Sequence, residues 1–315
     1  MNIKSFLSLV EIRTKVASLL PLLIGTFYAF YGYSTFNIIN FLLFFVSLIF
    51  IDMSTTALNH YYDFKRAKKE SGYNYNIHNP INNYNLSINT VIFTIFTLLS
   101  IAIVSGIILF LKTDLLILIL GGLSFLVGIT YSFGPVPISR TPLGELLSGF
   151  FMGFVIFFIA VHINLETGEK IVRLLYSNYE LVLEIEIIQL INTFLASLPL
   201  FLGISNIMLA NNISDIEDDK KNDRYTLPIY IGKKSSLKLF KFLYVIIYLD
   251  IIITIAFNII PLTSLLVLFT ILPVYNNINK FMREQSKKNT FQFSIQNFLW
   301  INLIYLLSFV ITFLI

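Results

Sequence analysis

Long apolar stretches constrain the fold of this 315-residue chain more than any other feature. Hydrophobic residues make up 56% of the chain and charged residues only 13%, with a mean hydropathy of +0.78. A helix needs about 20 apolar residues to cross a bilayer, and only helices or closed barrels satisfy their backbone polar groups in hydrocarbon. We therefore predict an all-α, polytopic membrane protein that forms a single membrane-embedded domain over residues 1–315.

Nine stretches have the length and composition of membrane-spanning helices. We place them at about 16–36, 41–62, 88–111, 115–133, 142–163, 190–212, 237–258, 261–280 and 292–314. No soluble domain remains between or beyond them.

The basic residues orient these spans. If the N-terminus is cytoplasmic, all of the 22 Lys and Arg residues fall on the cytoplasmic side except Lys112, Lys170 and Arg173. The one long loop on the opposite side carries instead the glutamates Glu166, Glu169, Glu180, Glu184 and Glu186. Because Lys and Arg are enriched in cytoplasmic loops, we predict a cell-membrane protein with a cytoplasmic N-terminus and an external C-terminus. Its net charge of +4 then suits anionic lipid headgroups rather than nucleic acid.

Two polar segments follow apolar stretches on the predicted cytoplasmic side. They are NHYYDFKRAKK, from Asn59 to Lys69, and NNISDIEDDKKNDR, from Asn211 to Arg224. Residues four apart share one face of a helix. The residues that this spacing groups, and that we predict as metal ligands, are Asn59 and Asp63 in the first segment and Asn211, Asp215 and Asp219 in the second.

The chemistry of these predicted ligands favours Mg²⁺. Clustered carboxylates repel one another unless a cation neutralises them. The chain contains no cysteine, and oxygen-only ligands favour Mg²⁺, which is usually bound together with substrate phosphates. The sequence therefore predicts a Mg²⁺-dependent, diphosphate-handling site at the membrane surface. Helix capping is the alternative for the first segment, and a solvated charged face is the alternative for the second.

Basic residues next to both segments are candidate contacts for a diphosphate. Lys65 and Arg66 directly follow Asp63, and Arg224 closes the second segment. A plain positive-inside anchor is the alternative for the run that includes Lys65 and Arg66.

Two further polar residues belong to the second span. Asp52 lies inside the apolar stretch and can share a face with Thr55 or Thr56. An ionisable residue at that depth is costly, so we first interpret Asp52 as a functional residue. The alternative interpretation is a hydrogen bond from Asp52 to a neighbouring helix. For His60 we favour hydrogen bonding at a helix interface over metal ligation, because it points away from the face of Asn59 and Asp63.

A proline-rich connection, YSFGPVPISRTPLGELLSGFFMG, joins spans four and five from Tyr131 to Gly153. Proline disfavours helix, so we expect a rigid extended segment on the cytoplasmic side, with Arg140 and Glu145 as its charges. Arg140 is a further candidate diphosphate contact. Three glycines suit close helix packing, and these are Gly144, Gly149 and Gly153.

Taken together, these motifs resemble the UbiA-type intramembrane prenyltransferases over nearly the whole chain. The resemblance rests on EIRTKVASLLPLLIGTFYA, the N-x-x-x-D at Asn59, the GPVPI…PLGE connection and NNISDIEDDKKNDRYTLPIYIG. Within that family the motifs are most similar to those of enzymes that prenylate 1,4-dihydroxy-2-naphthoate in menaquinone synthesis. The resemblance implies nine helices around a central cavity open to the cytoplasmic side, with both acidic segments facing it. His60 and Ala67 stand where the family often has Asp, and we expect Asp218 and Asp223 to compensate.

The resemblance also implies an activity. A polyprenyl group would pass from polyprenyl diphosphate to an aromatic acceptor in the lipid bilayer, with Mg²⁺ as cofactor and Asp63, Asp215 and Asp219 as catalytic residues. Other acceptors remain open, namely 4-hydroxybenzoate, homogentisate, haem or a glycerol-phosphate lipid. A transporter or a non-catalytic cation-binding protein is the alternative from another class, although transporters tend to place such charges near the bilayer midplane.

The charge distribution predicts that both acidic segments face the cytoplasm. Cysteines introduced at Lys68 and Asn222, in a chain that has none of its own, should react with a membrane-impermeant thiol reagent only after the cells are opened. Labelling of intact cells at either position would reverse the predicted topology.

Overall fold

Long apolar helices make up most of the structure. The computed structural model describes residues 1–67, 79–134, 137–177 and 180–315. In chain order its long helices are α1 (Val16–Tyr33), α2 (Ile38–Ala67), α3 (Ile88–Lys112), α4 (Leu115–Ser132), α5 (Gly144–His162), α6 (Ile187–Ser214), α7 (Lys233–Ala256), α8 (Leu262–Arg283) and α9 (Gln292–Thr312).

In the described part of the chain, eight of these helices are long and apolar enough to cross a bilayer. The exception is α4, whose apolar part, Leu115–Tyr131, is shorter. The polytopic helical fold is therefore confirmed, while the predicted number of nine spans is not. The predicted central cavity stays a prediction, as does the single domain.

Two of the long helices are not α-helical throughout. In α5, Gly144–Ser148 continues through a π-helical segment, Gly149–Val155, into Ile156–His162. In α8, a 3₁₀ segment Leu262–Thr270 precedes Ile271–Arg283. The shorter helices are Ile3–Leu9, Pro80–Asn83, Ile216–Lys221 and Leu227–Ile231, with 3₁₀ turns at Ile12–Lys15, Ile138–Arg140 and Thr167–Glu169.

The acidic segment between α5 and α6 contains an antiparallel hairpin that the sequence analysis treated as a loop. Its strands are β1 (Val172–Ser177) and β2 (Glu180–Ile185), with Val172 opposite Ile185. The Arg173 guanidinium lies 3.3 Å from Glu184 and 3.4 Å from Glu186. The signal was present as two short runs of branched and aromatic residues around a polar pair. The all-α class holds for the membrane helices, and the hairpin is an addition to it.

The chain folds into two compact units. The first unit comprises Met1–Leu19 and Ile38–Ile129, and the second comprises Leu20–Asn37 and Thr130–Ile315.

In the first unit, α2 packs closely against α3 through small side chains. Ser47 Oγ donates a hydrogen bond to the Ala102 carbonyl at 2.9 Å, and a Cβ on Gly106 would lie only 3.2 Å from Ser47 Oγ. Small and hydroxyl residues are the usual means by which membrane helices approach one another, since the lipid provides no hydrophobic drive for their association.

At its C-terminal end α2 is surrounded by apolar side chains of the first unit. Leu9, Ala57 and Ile81 belong to one buried cluster, against which Tyr61 and Phe64 pack. With 30 residues, α2 is about 45 Å long, more than the thickness of a bilayer core of about 30 Å. The cluster thus supports the end of α2 that carries Asn59 and Asp63.

In the second unit, α6 and α5 approach at two glycines. A Cβ on Gly153 would lie 2.5 Å from Phe201 Cα and 2.6 Å from Phe201 N, and one on Gly149 would lie 2.5 Å from the Phe201 carbonyl oxygen. Such distances leave no room for a side chain. The close-packing interpretation is therefore confirmed for both glycines, whereas a Cβ on Gly144 would meet only a looser contact, 3.3 Å from the Ile138 carbonyl.

Polar side chains join α6 to its other neighbours in the second unit. Asn206 Nδ2 donates to the Phe240 carbonyl of α7 at 3.1 Å, and the Tyr305 hydroxyl of α9 donates to the Ala196 carbonyl at 3.0 Å. The two side-chain donors would lack a partner in lipid, so these bonds favour one arrangement of the helices.

The glycine contact predicts that Gly153→Ala destabilises the protein. The added methyl group would force the backbone of Phe201 away, and overpacking of this kind costs about 1–3 kcal/mol. Purified Gly153→Ala should unfold at a lower temperature in detergent than the wild type. Gly121→Ala on α4 is the matched control, since nothing lies within 4 Å of a Cβ there. Equal melting temperatures for the two variants would contradict the packing argument.

Candidate functional site

The second acidic segment keeps its helical spacing across an interruption of the helix. α6 ends at Ser214, Asp215 adopts φ −104° and ψ 6°, and Ile216–Lys221 then forms a short helix. The Asp215 amide donates to the Asn211 carbonyl at 3.1 Å, and the Asp219 amide donates to the Asp215 carbonyl at 2.7 Å. The three predicted ligands therefore follow one another at single-turn intervals, although the α-helix is not continuous.

Burial separates the acidic residues of this segment into two groups. Asp215 and Asp219 are only 9% and 2% exposed, while Glu217, Asp218 and Asp223 are exposed. The solvated-face interpretation therefore fits only the second group. The exposure of Asp218 and Asp223 weighs against the expectation that they serve as additional ligands, and that expectation stays a prediction.

Each buried carboxylate contacts a cation. Arg224 Nε lies 3.3 Å from Asp219 Oδ1, and Lys287 Nζ lies 2.5 Å from Asp215 Oδ2. Burial raises the pKa of the Asp219 carboxyl above its ordinary value, and the Arg224 charge opposes that shift. Thr226 Oγ1 adds a hydrogen bond to Asp219 Oδ2 at 3.3 Å. These partners offset part of the cost of burying two negative charges.

Of these two cations, the sequence analysis proposed a site role only for Arg224. Lys287 belongs to the basic loop between α8 and α9. The one indication of a site role in the sequence was the predicted cytoplasmic position of this loop. Nothing in the sequence distinguished it from Lys288 beside it.

The proline-rich connection contacts the second acidic segment directly. The Tyr225 amide donates to the Arg140 carbonyl at 3.1 Å, and Arg224 Nη2 donates to the Ser139 carbonyl at 3.4 Å. Arg140 itself is half-buried. Pro135, one of the three prolines on which the rigid connection was predicted, lies outside the described residues. The contacts nevertheless bring together two motifs that the sequence analysis found separately.

Glu145 provides a second link between these motifs. It is 4% exposed, and its Oε1 accepts a hydrogen bond from Asn212 Nδ2 at 2.8 Å. Within the described part of the chain, Glu145 Oε2 has no hydrogen-bond partner. Asn212 adjoins the predicted ligand Asn211, so this bond fixes the start of α5 against the end of α6.

The first acidic segment is helical, as its spacing predicted. Asn59 and Asp63 lie one turn apart on α2 and are half-buried, and Lys65 is exposed near the end of the helix. The Arg66 side chain and the residues Lys68 and Lys69 lie outside the part that the structure describes.

His60 points to a different neighbour from the predicted ligands. Its Nε2 lies 3.1 Å from Glu11 Oε1, and its carbonyl accepts a hydrogen bond from Asn79 Nδ2 at 2.8 Å. The adjacent His60 imidazole is the largest influence that lowers the pKa of Glu11 below its ordinary value. The His60 imidazole therefore lies beside Glu11 within the first unit, and its hydrogen-bonding role stays a prediction.

Asp52 takes part in a buried ion pair that joins α2 to the start of α1. Lys15, 2% exposed, donates to Asp52 Oδ1 at 2.5 Å and to Thr56 Oγ1 at 2.7 Å, and Ser18 Oγ donates to Asp52 Oδ2 at 2.6 Å. The interhelical hydrogen-bond interpretation of Asp52 is therefore confirmed. Lys15, which the sequence analysis counted only as a cytoplasmic charge, is its partner.

This ion pair also orients the first acidic segment. Positions 52, 56, 59 and 63 fall on one face of α2 by their 3.6-residue periodicity. The contacts at Asp52 and Thr56 therefore determine which face of α2 carries Asn59 and Asp63.

The oxygen donors of the site suit Mg²⁺ bound with a phosphate ligand. Among the described residues, no group of three or more His, Cys, Asp and Glu side chains could hold a metal ion. The second unit offers two buried carboxylates, Asp215 and Asp219, and the Asn211 amide near them. Mg²⁺ usually binds through one or two carboxylates and completes its shell with water and substrate phosphates, so this donor set fits Mg²⁺ together with a diphosphate.

Comparison with known proteins identifies the family. Residues 18–303 match the UbiA prenyltransferase family, and the chain belongs to it. It is therefore a multi-pass membrane enzyme, a prenyltransferase. One relative is the 1,4-dihydroxy-2-naphthoate octaprenyltransferase of Bacillus subtilis (strain 168), which is 30% identical over 237 residues, covering 75% of this chain and 69% of the relative.

Solved structures of UbiA homologues share the fold. A homologue from Aeropyrum pernix K1 superposes with a TM-score of 0.70 at 15% identity, over 96% of this chain and 98% of that one. A homologue from Archaeoglobus fulgidus bound to GPP and Mg²⁺ superposes with a TM-score of 0.66 at 14% identity, over 99% of this chain and 100% of that one.

The buried ion pair of the first unit predicts a large effect of Lys15→Met. Removing one partner leaves Asp52 as an uncompensated charge, which costs about 3–5 kcal/mol for buried pairs. Lys15→Met should therefore markedly lower the melting temperature in detergent, and the double variant Lys15→Met with Asp52→Leu should recover part of the loss.

The control for this experiment is Arg13→Met, which removes an exposed charge two residues away. If Lys15→Met and Arg13→Met have the same melting temperature, the ion pair between Lys15 and Asp52 does not stabilise the first unit.

Proposed function

We propose that this chain transfers a polyprenyl group from polyprenyl diphosphate to 1,4-dihydroxy-2-naphthoate, in a Mg²⁺-dependent step of menaquinone synthesis. The observation that carries the proposal is the burial of Asp215 and Asp219 against cations in a chain of the UbiA family. The named activity of the Bacillus subtilis relative supports the acceptor. The Archaeoglobus fulgidus homologue bound to GPP and Mg²⁺ supports the pairing of metal and prenyl diphosphate.

The carboxylates Asp63, Asp215 and Asp219 and the amides of Asn59 and Asn211 would hold Mg²⁺. Bound there, the metal supplies charge neutralisation that makes diphosphate a better leaving group. Lys65, Arg66, Arg140 and Arg224 would donate hydrogen bonds to the diphosphate oxygens, as positioned donors stabilise charge that develops on a leaving group.

The reaction forms one carbon–carbon bond and breaks two bonds, one in each substrate. The bond between the allylic carbon and the diphosphate oxygen breaks, and its electron pair leaves with diphosphate. A ring carbon of the electron-rich acceptor attacks the allylic carbon. The ring becomes aromatic again when that carbon loses its proton, or its carboxylate as carbon dioxide, and the electron pair of the broken bond returns to the ring. Apolar helices exclude water that would otherwise capture the allylic cation.

The distribution of basic residues supports a cytoplasmic site with the N-terminus inside and the C-terminus outside. Prenylation of 4-hydroxybenzoate, homogentisate, haem or a glycerol-phosphate lipid remains the alternative. Incubation of membranes with a labelled prenyl diphosphate and a panel of these acceptors, followed by mass analysis of the lipids, would identify the product. Transfer to another acceptor with none to 1,4-dihydroxy-2-naphthoate would refute the proposed acceptor.

The buried carboxylates predict an asymmetric mutational pattern in the second acidic segment. Asp215→Ala and Asp219→Ala, like Asp63→Ala in the first segment, should each reduce prenyl transfer at least about 100-fold, because each removes a metal ligand. Chelation of Mg²⁺ by EDTA should stop the reaction in the wild type.

Asp218→Ala is the matched control for Asp219→Ala. Its side chain is 78% exposed and lies 4.0 Å from Lys221, so its turnover should stay near that of the wild type. Near-normal turnover in Asp219→Ala, or equal losses in both variants, would refute the assignment of ligands.

A further inference from the structure

We propose that Lys287 binds the diphosphate of the substrate beside the second acidic segment. This inference rests on the proposed function, to which it adds a residue. Lys287 lies in the loop between α8 and α9, distant in sequence from both acidic segments. Its Nζ is nevertheless 2.5 Å from Oδ2 of the buried Asp215.

The loop that carries Lys287 is held by its own hydrogen bonds. Thr290, 6% exposed, accepts from the Ser286 amide at 2.8 Å and donates through Oγ1 to the Glu284 carbonyl at 2.9 Å. Gln285 Nε2 donates to the Phe281 carbonyl in the last turns of α8 at 2.6 Å. The backbone at Lys287 is therefore fixed relative to α8, so its position is a property of the fold.

Lys287 retains donors that a phosphate ligand could accept. An ammonium group has three N–H donors, and the hydrogen bond to Asp215 uses one of them. The Lys287 side chain is 42% exposed. The Arg224 side chain is less exposed, at 29%, and it donates to the Ser139 carbonyl and contacts Asp219. Lys287 is thus the more exposed of the two cations beside the buried carboxylates.

Electrostatics favours such a cation at this place. A diphosphate that approaches Asp215 and Asp219 brings negative charge towards negative charge. Lys287 can contact the Asp215 carboxylate with one N–H and a phosphate oxygen with another, and lysine is a common phosphate ligand as a point charge. A purely structural role would differ in its effect: a lysine that only neutralises the buried Asp215 would change stability when removed, but not the affinity for a phosphate ligand.

Kinetics and binding can test this role with Lys287→Ala, Lys287→Arg and the control Lys288→Ala, which removes the same charge from an exposed neighbour. The measurements are the KM for prenyl diphosphate and for the acceptor, and the Kd of purified protein for Mg²⁺-pyrophosphate by calorimetry. Lys287→Ala should raise the KM for prenyl diphosphate and the Kd about 10- to 100-fold. The acceptor KM should not change, Lys287→Arg should recover most of the affinity, and Lys288→Ala should resemble the wild type.

Two results would overturn the inference in different ways. If Lys287→Ala matches Lys288→Ala in Kd and KM, or only melts earlier, Lys287 is not a diphosphate ligand; a simultaneous loss of activity in Asp219→Ala would leave the proposed function intact. If the wild type neither binds Mg²⁺-pyrophosphate nor transfers a prenyl group, the proposed function fails and this inference fails with it.

Discussion

The structure depends on one property of its solvent: hydrocarbon offers no partner to a polar group. Helices satisfy this constraint along the backbone, and side chains must satisfy it in pairs. Lys15 and Asp52 pair inside the first unit, and Asn206 donates to a carbonyl of α7 inside the second. The lipid also provides no hydrophobic drive for helix association, so membrane helices associate through close van der Waals contact. The glycines of α5 against Phe201 provide that contact.

The acidic segments lie where long helices end, and there charged side chains need cationic partners. Asp215 and Asp219 are buried although they follow the last turn of α6. Partial compensation comes from Lys287, Arg224 and Thr226. Three hydrogen bonds to the proline-rich connection, at Ser139, Arg140 and Glu145, hold this segment in place. A rigid setting of this kind suits the proposed diphosphate site, where preorganised groups need no rearrangement on binding.

The departure of the first segment from the family pattern has a structural counterpart. His60 stands where an acidic residue is common, and it interacts with Glu11 of the same unit. Asp218 and Asp223, which the sequence offered as replacements for the missing carboxylate, are exposed. The first segment therefore contributes Asn59 and Asp63 as its candidate ligands, and Lys15 orients their helix through Asp52 and Thr56.

The sequence by itself determined the membrane class, the helical fold, the spacing of Asn59 with Asp63 and of Asn211 with Asp215, and the family motifs. These are consequences of local composition and of the helical period, which depend on neighbouring residues only. Tertiary structure decided which carboxylates are buried, which lysine reaches them and which partner Asp52 takes. Lys287 and Lys288 are equivalent in the sequence, and only the packing of the α8–α9 loop beside the end of α6 distinguishes them. Contacts between residues distant in the chain arise from that packing, and no local pattern encodes them.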